Sequence, residues 1–381
     1  MLPLEGLRVL DLSRLLPGPY ATLVLADLGA RVDKLEDPAG GDYLRQSPPL
    51  LGDESALFVA LNRNKRSIAL DLKAPDGAAA LRRLVKHYDV LVESFRPGVM
   101  AKLGCSYEAL AAENPQLIYC AISGYGQTGP DRLKAGHDLN YIGRAGVLAY
   151  GGEAGGRPAM PGVQIGDIGG GSLFALVGIL AALQERQTTG HGRFVDVSMT
   201  EGSMAFLHMH LAGRLVMGAQ AAPLQRGRET LNGGYACYGV YRTKDGRYLS
   251  VGSLEPKFFT GLCDALGRPD LVPGGYDTGE EGRKTRAELE KIFAGQDRAH
   301  WLELLRPRDV CVEPVNEGDE VLTDPQLRAR GMFVEQGGVT HLRTPLHFGE
   351  LPLRAPPKLG EHTRQILSEC GFSEAEAGKL T

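Results

Sequence analysis

The sequence predicts an α/β protein, with a large doubly wound domain followed by a smaller α/β domain. Three observations carry this. Short apolar, strand-like runs alternate with amphipathic segments through the first third of the chain, the pattern that a parallel sheet with crossover helices requires. The 381 residues, 43% of them hydrophobic, are enough for two or three domains with buried cores. A Pro- and Gly-containing polar stretch at 219–232 then separates the first pattern from a second set of strands and helices.

The elements follow in chain order. Residues 7–12 read as a strand and 19–28 as a helix, with Pro19 at its start and Gly29 just past its end, where a fixed φ and a missing Cβ are useful. Strands are predicted at 31–36, 67–72, 89–95 and 117–123, and an amphipathic helix at 75–87. The run 168–187 is apolar nearly all round (Leu173, Phe174, Leu176, Val177, Ile179, Leu180, Leu183), which predicts a helix buried in a core or an interface. A second helical stretch spans 198–217. Beyond the linker, strands at 235–242 and 247–251 flank a Lys-Asp-Gly turn and precede helices at 256–266, 284–293 and 298–305. The tail from Gly331 is Pro-rich, ends in a helix at 363–370, and is too small to fold alone, so it is expected to return to the large domain. The ranges are therefore 1–218 for the large domain, 219–232 for the linker, 233–330 for the small domain and 331–381 for the returning segment.

A formal net charge of −4 argues against nucleic-acid or membrane-surface binding driven by overall charge, and leaves any anionic ligand to a local basic cluster. Six dispersed cysteines form no Cys-x-x-Cys, so neither a metal site nor a disulfide framework is expected. The N-terminus enters a strand at once without a leader-like pattern, no run approaches 18 uncharged apolar residues, and Lys379-Leu380-Thr381 is not a peroxisomal address. The expected location is cytoplasmic, with no membrane partner.

The best clue to chemistry is His137, in Ala-Gly-His137-Asp138-Leu139-Asn140-Tyr141, together with Asp167, which precedes Gly169, Gly170, Gly171 and the apolar helix. A proton can be taken from one face of a carbon and returned to the other only if two bases flank it. Histidine titrates near neutrality unaided, and burial can tune a carboxylate. The competing readings are a structural histidine hydrogen bond and a helix N-cap aspartate. Gly124-Tyr125-Gly126-Gln127-Thr128-Gly129 matches Gly-x-Gly-x-x-Gly after a strand, but Pro130 and Asp131 follow instead of a helix, so it reads as a strand-end loop rather than a dinucleotide site. The basic string at 62–67, Lys73, and Arg96 directly after an apolar strand are candidate phosphate anchors, with solvated charged loops as the alternative. Glu255 precedes Pro256 at the mouth of a small-domain helix, where a carboxylate also suits the helix dipole. His208 and His210 are two apart on a helix and face different ways, which suits core or interface positions.

The strings Leu-Glu-Gly-Leu-Arg-Val-Leu-Asp-Leu, Pro17-Gly18-Pro19, Ala26-Asp27-Leu28-Gly29-Ala30, Lys65-Arg66-Ser67, Asp71-Leu72-Lys73, Phe95-Arg96-Pro97-Gly98, Gly124 to Pro130 and Leu359-Gly360-Glu361-His362-Thr363 together resemble the family III coenzyme A transferases (CaiB/BaiF). Gly136-His137-Asp138, Gly166-Asp167 and Glu255-Pro256 resemble the α-methylacyl-CoA racemase branch. The resemblance implies a Rossmann-like large domain and an interlocked homodimer acting on an acyl-CoA thioester, without metal or redox cofactor. It implies His137 and Asp167 as opposed acid/base residues, with Glu255 pairing with His137. It places CoA contacts on Arg66, Ser67, Leu70 and Lys73, on Ser94, Phe95 and Arg96, on Lys102, and on Gly136, Asp138, Leu139, Asn140 and Tyr141. The chain departs from the branch at Glu36-Asp37-Pro38, where an Arg is common, and at Lys102, where another is. Backbone N–H groups after Asp167, free of side-chain bulk at Gly169 to Gly171, are expected to receive the enolate oxygen. The alternative is CoA transfer, with Asp167 attacking the thioester. A non-catalytic CoA-ester binder is disfavoured by the titratable residues.

Overall fold

The computed structural model describes residues 2–351 and 353–380. The chain folds as two compact units, the first formed by Met1–Ala145, Val163–Phe206 and Arg328–Thr381, the second by Gly146–Gly162 and Leu207–Leu327.

The first unit is built on strands β1 (Arg8–Asp11), β2 (Arg31–Glu36), β3 (Lys65–Ala69), β4 (Val90–Glu93), β5 (Ile118–Ser123) and β6 (Phe194–Ser198). They form one sheet in the order β3-β2-β1-β4-β5-β6, and every pairing is parallel. The helices are α1 (Pro17–Asp27), α2 (Pro75–Leu84), α3 (Asp138–Ala145), α4 (Phe174–Thr189) and α5 (Met199–Ala205). Because successive strand residues face opposite ways, the two sides of the sheet carry separate cores. Leu10, Leu91, Tyr119 and Ala121 pack with Leu81 and Leu84 of α2. Val9, Val32, Val90, Ile118 and Cys120 pack with α1 and with Ala175, Leu176 and Ile179 of α4. Strand order reverses between β1 and β4, and in sheets of this kind ligands bind outside the carboxyl ends at that point.

The tail packs onto this unit. Ile366 and Leu367 of helix Thr363–Glu369, and Phe372, join the α2-side core. His362 N–H donates to Ser67 O, and Ala69 N–H to Thr363 Oγ1.

The second unit contains α6 (His208–Met217), β7 (Tyr238–Arg242), β8 (Tyr248–Gly252), α7 (Pro256–Ala265), α8 (Glu280–Phe293), α9 (Arg298–Leu305) and β9 (Val312–Pro314). Its strands pair antiparallel in the order β9-β8-β7 around Tyr241, Leu249, Phe259, Leu289 and Phe293.

Several elements differ from the sequence expectations. The predicted 198–217 helix is two helices, α5 and α6, interrupted at Phe206 and Leu207. Strand β6 was not anticipated; it is a short edge strand whose Asp196 is exposed, so it lacks the apolar run of the inner strands. The boundary of the first unit falls at Phe206, and 146–162 groups with the second unit. The stretch read as a linker is held within that unit, since the Arg226 guanidinium donates to the carbonyls of Ala149 and Gly156.

Helix Ile165–Thr189 is long and apolar enough to cross a membrane by length and composition alone. It nevertheless buries Ala175, Leu176, Ile179 and Ala182 in the first unit's core, as a helix packed on a sheet does. Its other face leaves Phe174 40%, Val177 62% and Leu180 40% exposed.

Candidate active site

Both principal residues stand at helix starts in the first unit. After β5 the chain runs through turns, with Gly126 and Gly129 at positive φ, and becomes helical only at Asp138, so the glycine string is not a helix-opening fingerprint. Gly124 is needed for another reason: a Cβ there would meet the Tyr141 ring at 2.3 Å. Tyr141 packs edge-on against Tyr125, and its hydroxyl donates to Gly136 O. His137 caps α3. Its N–H donates to Asn140 Oδ1 at 3.0 Å, the half of a capping box in which the side chain three residues on accepts from the cap backbone, and Asn140 N–H donates to His137 O at 2.8 Å in a turn bond. The cap fixes the His137 backbone and leaves its side chain exposed.

Asp167 lies on a π-helical stretch, Ile165–Leu173, that runs directly into α4; such widened turns recur at functional sites. Its N–H donates to Asp138 Oδ1 at 2.9 Å, which ties the start of α3 to this helix. Burial, reinforced by the Asp138 charge, raises the Asp167 carboxyl to about 6 against the opposing pull of His137. Asp138, the residue next to His137, thus joins the His137 segment to the Asp167 backbone. Tyr141 joins them: burial and then the Asp167 charge push its hydroxyl up to about 12, while Arg96 lowers it.

The glycines after Asp167 do not form an open donor site. Asp167 N–H is bonded to Asp138 and Ile168 N–H to Gln164 O, and Gly169 to Gly171 lie inside the helix. Their missing side chains serve packing. A Cβ on Gly170 would meet Met199 O of α5 at 2.5 Å, and one on Gly169 the Phe206 ring at 2.9 Å. Asp138 and Leu139 stand in the first turn of α3, where N–H groups have no partner within their own helix.

The expected CoA contacts separate into two groups. Leu70, Lys73 and Phe95 line a cavity of about 210 Å³ at the carboxyl ends of β2, β3 and β4, with Leu35, Asp37, Leu72, Val99 and Leu103. Ser94 Oγ borders β1 by accepting from Arg14 N–H at 3.1 Å. Arg96 follows, and its charge lowers the Tyr141 hydroxyl; Gly136, Asp138, Leu139 and Asn140 adjoin His137 in the chain. Lys102 ends the short helix Val99–Lys102 and is exposed. Arg66 and Ser67 are not brought to the cavity. Arg66 lies toward the amino end of β3, where its guanidinium grips buried Asp33 at 2.7 and 2.9 Å and reaches Glu369 at 3.2 Å. Ser67 is buried, donating to Glu36 Oε2 and accepting from Gly360 N–H. Glu255 stands in the second unit, exposed at the start of α7.

Sequence reasoning missed Arg14, which lines the cavity immediately after β1. Its guanidinium lies 5.2 Å from the ring centroids of both Phe95 and Tyr43. The usable signal was position alone, since a lone cation directly after the first strand of a doubly wound sheet lies at the strand-order reversal.

The geometry matches known proteins along the whole chain. The family model for CoA-transferase family III covers residues 4–363. The human α-methylacyl-CoA racemase is 40% identical over 99% of this chain and 96% of its own length. Mouse succinyl-CoA:glutarate CoA-transferase is 36% identical over 97% of this chain and 86% of its own, and acetyl-CoA:oxalate CoA-transferase of Acetobacter aceti 36% over 98% and 97%. Among solved structures, a CaiB/BaiF family protein from Brucella suis superposes with a TM-score of 0.82 at 35% identity, covering 97% of this chain and 99% of that one. The chain belongs to CoA-transferase family III.

Proposed function

We propose that the protein is an acyl-CoA racemase or epimerase that inverts the α-carbon of 2-methylacyl-CoA thioesters by transferring a proton between two bases. The observation that carries this is the juxtaposition of His137 and Asp167 at two helix starts bridged by Asp138, with Asp167 tuned to about 6. A carboxyl near that value is a stronger base than an ordinary one and still ionises at neutral pH. The thioester carbonyl acidifies the α-hydrogen. One base takes that proton as an enolate forms, and the other, in its protonated form, delivers a proton to the opposite face. The N–H groups of Asp138 and Leu139 supply donors for the enolate oxygen, a term commonly worth ~3 kcal/mol per donor. The proposed role of Glu255, to set the protonation of His137, predicts that Glu255→Gln displaces the pH profile more than it changes substrate affinity.

The second reading is CoA transfer through an Asp167 acyl anhydride, favoured by the transferases among the relatives. Incubating one enantiomer of a 2-methylacyl-CoA in D₂O without any acceptor acid separates the two. A racemase takes up deuterium at the α-carbon and loses optical purity, whereas a transferase shows neither until an acceptor is added.

The apolar, exposed face of α4 fits a homodimer. Phe174, Val177 and Leu180 form one helical face in contact with water, alongside Leu173 of the preceding turn. A second copy of this chain is the proposed occupant; sedimentation at micromolar concentration should give twice the chain mass, and Val177→Asp should shift it toward monomer.

A further inference from the structure

We infer that Arg14 is the residue that reads the 3′-phosphate of the CoA ester, and so sets selectivity for CoA over its dephosphorylated form. The inference rests on the CoA-ester reading above and adds a residue and a group.

The turn carrying Arg14 is held in place by buried charge. Leu15 adopts φ +62°, a strained value for a residue with a branched side chain. Asp11, at the end of β1, accepts from Ser13 N–H, Thr22 Oγ1 and Lys65 Nζ. Lys34 Nζ donates to Ser13 O at 2.7 Å and pairs with Asp42 at 3.0 Å, while Asp42 Oδ1 accepts from Leu15 N–H. Asp11, Lys34, Asp42 and Lys65 are all buried, so the residues on both sides of Arg14 are fixed. Ser94 fixes its own N–H.

The side chain so presented is half-buried, and Asp37, which feels its charge, lies beyond ion-pair distance. Its guanidinium lies near the Tyr43 and Phe95 rings and donates to Tyr43 Oη at 3.0 Å. Among the described residues it makes no ion pair within 4.0 Å, and the nearby Asp37 pairs instead with Lys73 at 3.2 Å. An arginine at a cavity wall, flanked by two aromatic rings and with no carboxylate within 4.0 Å among the described residues, is suited to a phosphate through charge-assisted hydrogen bonds.

Position along the site selects which phosphate. The thioester must lie at His137 and Asp167, so the opposite end of the ligand, the phosphorylated adenosine, reaches the cavity along the Phe95–Arg96 strip. The apolar lining there (Leu35, Leu70, Leu72, Phe95, Val99, Leu103) suits a purine face. Arg14 also offers a cation on the side of the cavity where the chain has Glu36-Asp37-Pro38 and no arginine.

The test is calorimetric titration of the full-length protein with free CoA and with 3′-dephospho-CoA. Wild type is expected to bind CoA ~10-fold or more tightly than dephospho-CoA, as one charge-assisted contact implies. Arg14→Met should bring CoA down to the dephospho-CoA affinity while leaving dephospho-CoA unchanged, and Arg14→Lys should restore part of the difference, with melting curves confirming that both variants fold. No preference in the wild type, or an equal loss for both ligands in Arg14→Met, would overturn the inference. If wild type binds neither ligand, the CoA-ester reading falls with it; if wild type binds both and Arg14→Met changes nothing, only the inference falls.

Discussion

The two edges of the parallel sheet both carry arginines and use them in opposite ways. At the amino edge Arg31 and Arg66 share Asp33 and Glu369, with Arg66 bidentate to an Asp33 carboxylate that is fully buried. Tyr88 adds a hydroxyl to the same carboxylate. At the carboxyl edge Arg14 and Arg96 have no carboxylate within 4.0 Å among the described residues, and the groups around them are aromatic rings, backbone ends and a tuned acid. The contrast points to unmatched charges, rather than the density of basic residues, as the guide to the proposed anion site. A paired arginine has its partner inside the fold and serves stability, whereas an unpaired one presents its charge to a ligand.

The largest expected effect lies at the carboxyl edge. Asp167→Ala and His137→Ala should each lower racemisation by about three orders of magnitude or more, the scale of losing a positioned base. Each should retain α-hydrogen exchange with one enantiomer only, which chiral analysis of the products in D₂O would reveal. Loss of exchange with both enantiomers in either variant would mean that the two residues do not serve separate faces.

Next in size is a change at the amino edge. Arg66→Met should destabilise the fold by about 2–3 kcal/mol, somewhat under the ~3–5 usual for breaking a buried pair because Arg31 and Tyr88 still contact Asp33. CoA affinity should change less than about twofold, against the ~10-fold loss expected at Arg14. Denaturant melts and calorimetry on the same samples check both halves, and a large loss of CoA affinity at Arg66 would break the comparison.

The smallest effect concerns the acid itself. Burial holds Asp167 at about 6, above its ordinary 3.8, so ionising it opposes folding. The penalty is absent below the unfolded value, grows as pH rises between the two, and is fully present above about 6. Asp167→Asn removes it. At pH 8 the variant should be more stable by about 1 kcal/mol, after allowance for partial exposure, and the gain should vanish near pH 3. In the wild type, the rate constant for the enantiomer that gives its proton to Asp167 should rise with pH through about 6.

How much of this was legible in the chain depends on the range of the interaction. Strands β4 and β5 and helices α1 and α2 announce themselves locally, because these buried parallel strands are nearly continuous apolar runs, Pro opens both helices and Gly29 follows α1. The His137 and Asp167 segments were readable from their own strings. Arg66 was misleading because its partners, Asp33 on the neighbouring strand and Glu369 in the tail, are set by register and by the return of the chain. Arg14 offered position as its only signal, for the converse reason: its setting depends on Leu15 at positive φ and on where Tyr43 and Phe95 come to rest. The glycines after Asp167 suggested an open donor site, yet their freedom is used for contact with α5, which no local pattern discloses.

The central claim is proton transfer between two bases on a CoA thioester, and it is tested most directly by following one enantiomer of a 2-methylacyl-CoA in D₂O with no acceptor acid present. The account predicts deuterium uptake at the α-carbon accompanied by loss of optical purity. Retention of both hydrogen and configuration, with CoA moving to an added carboxylic acid, would contradict it.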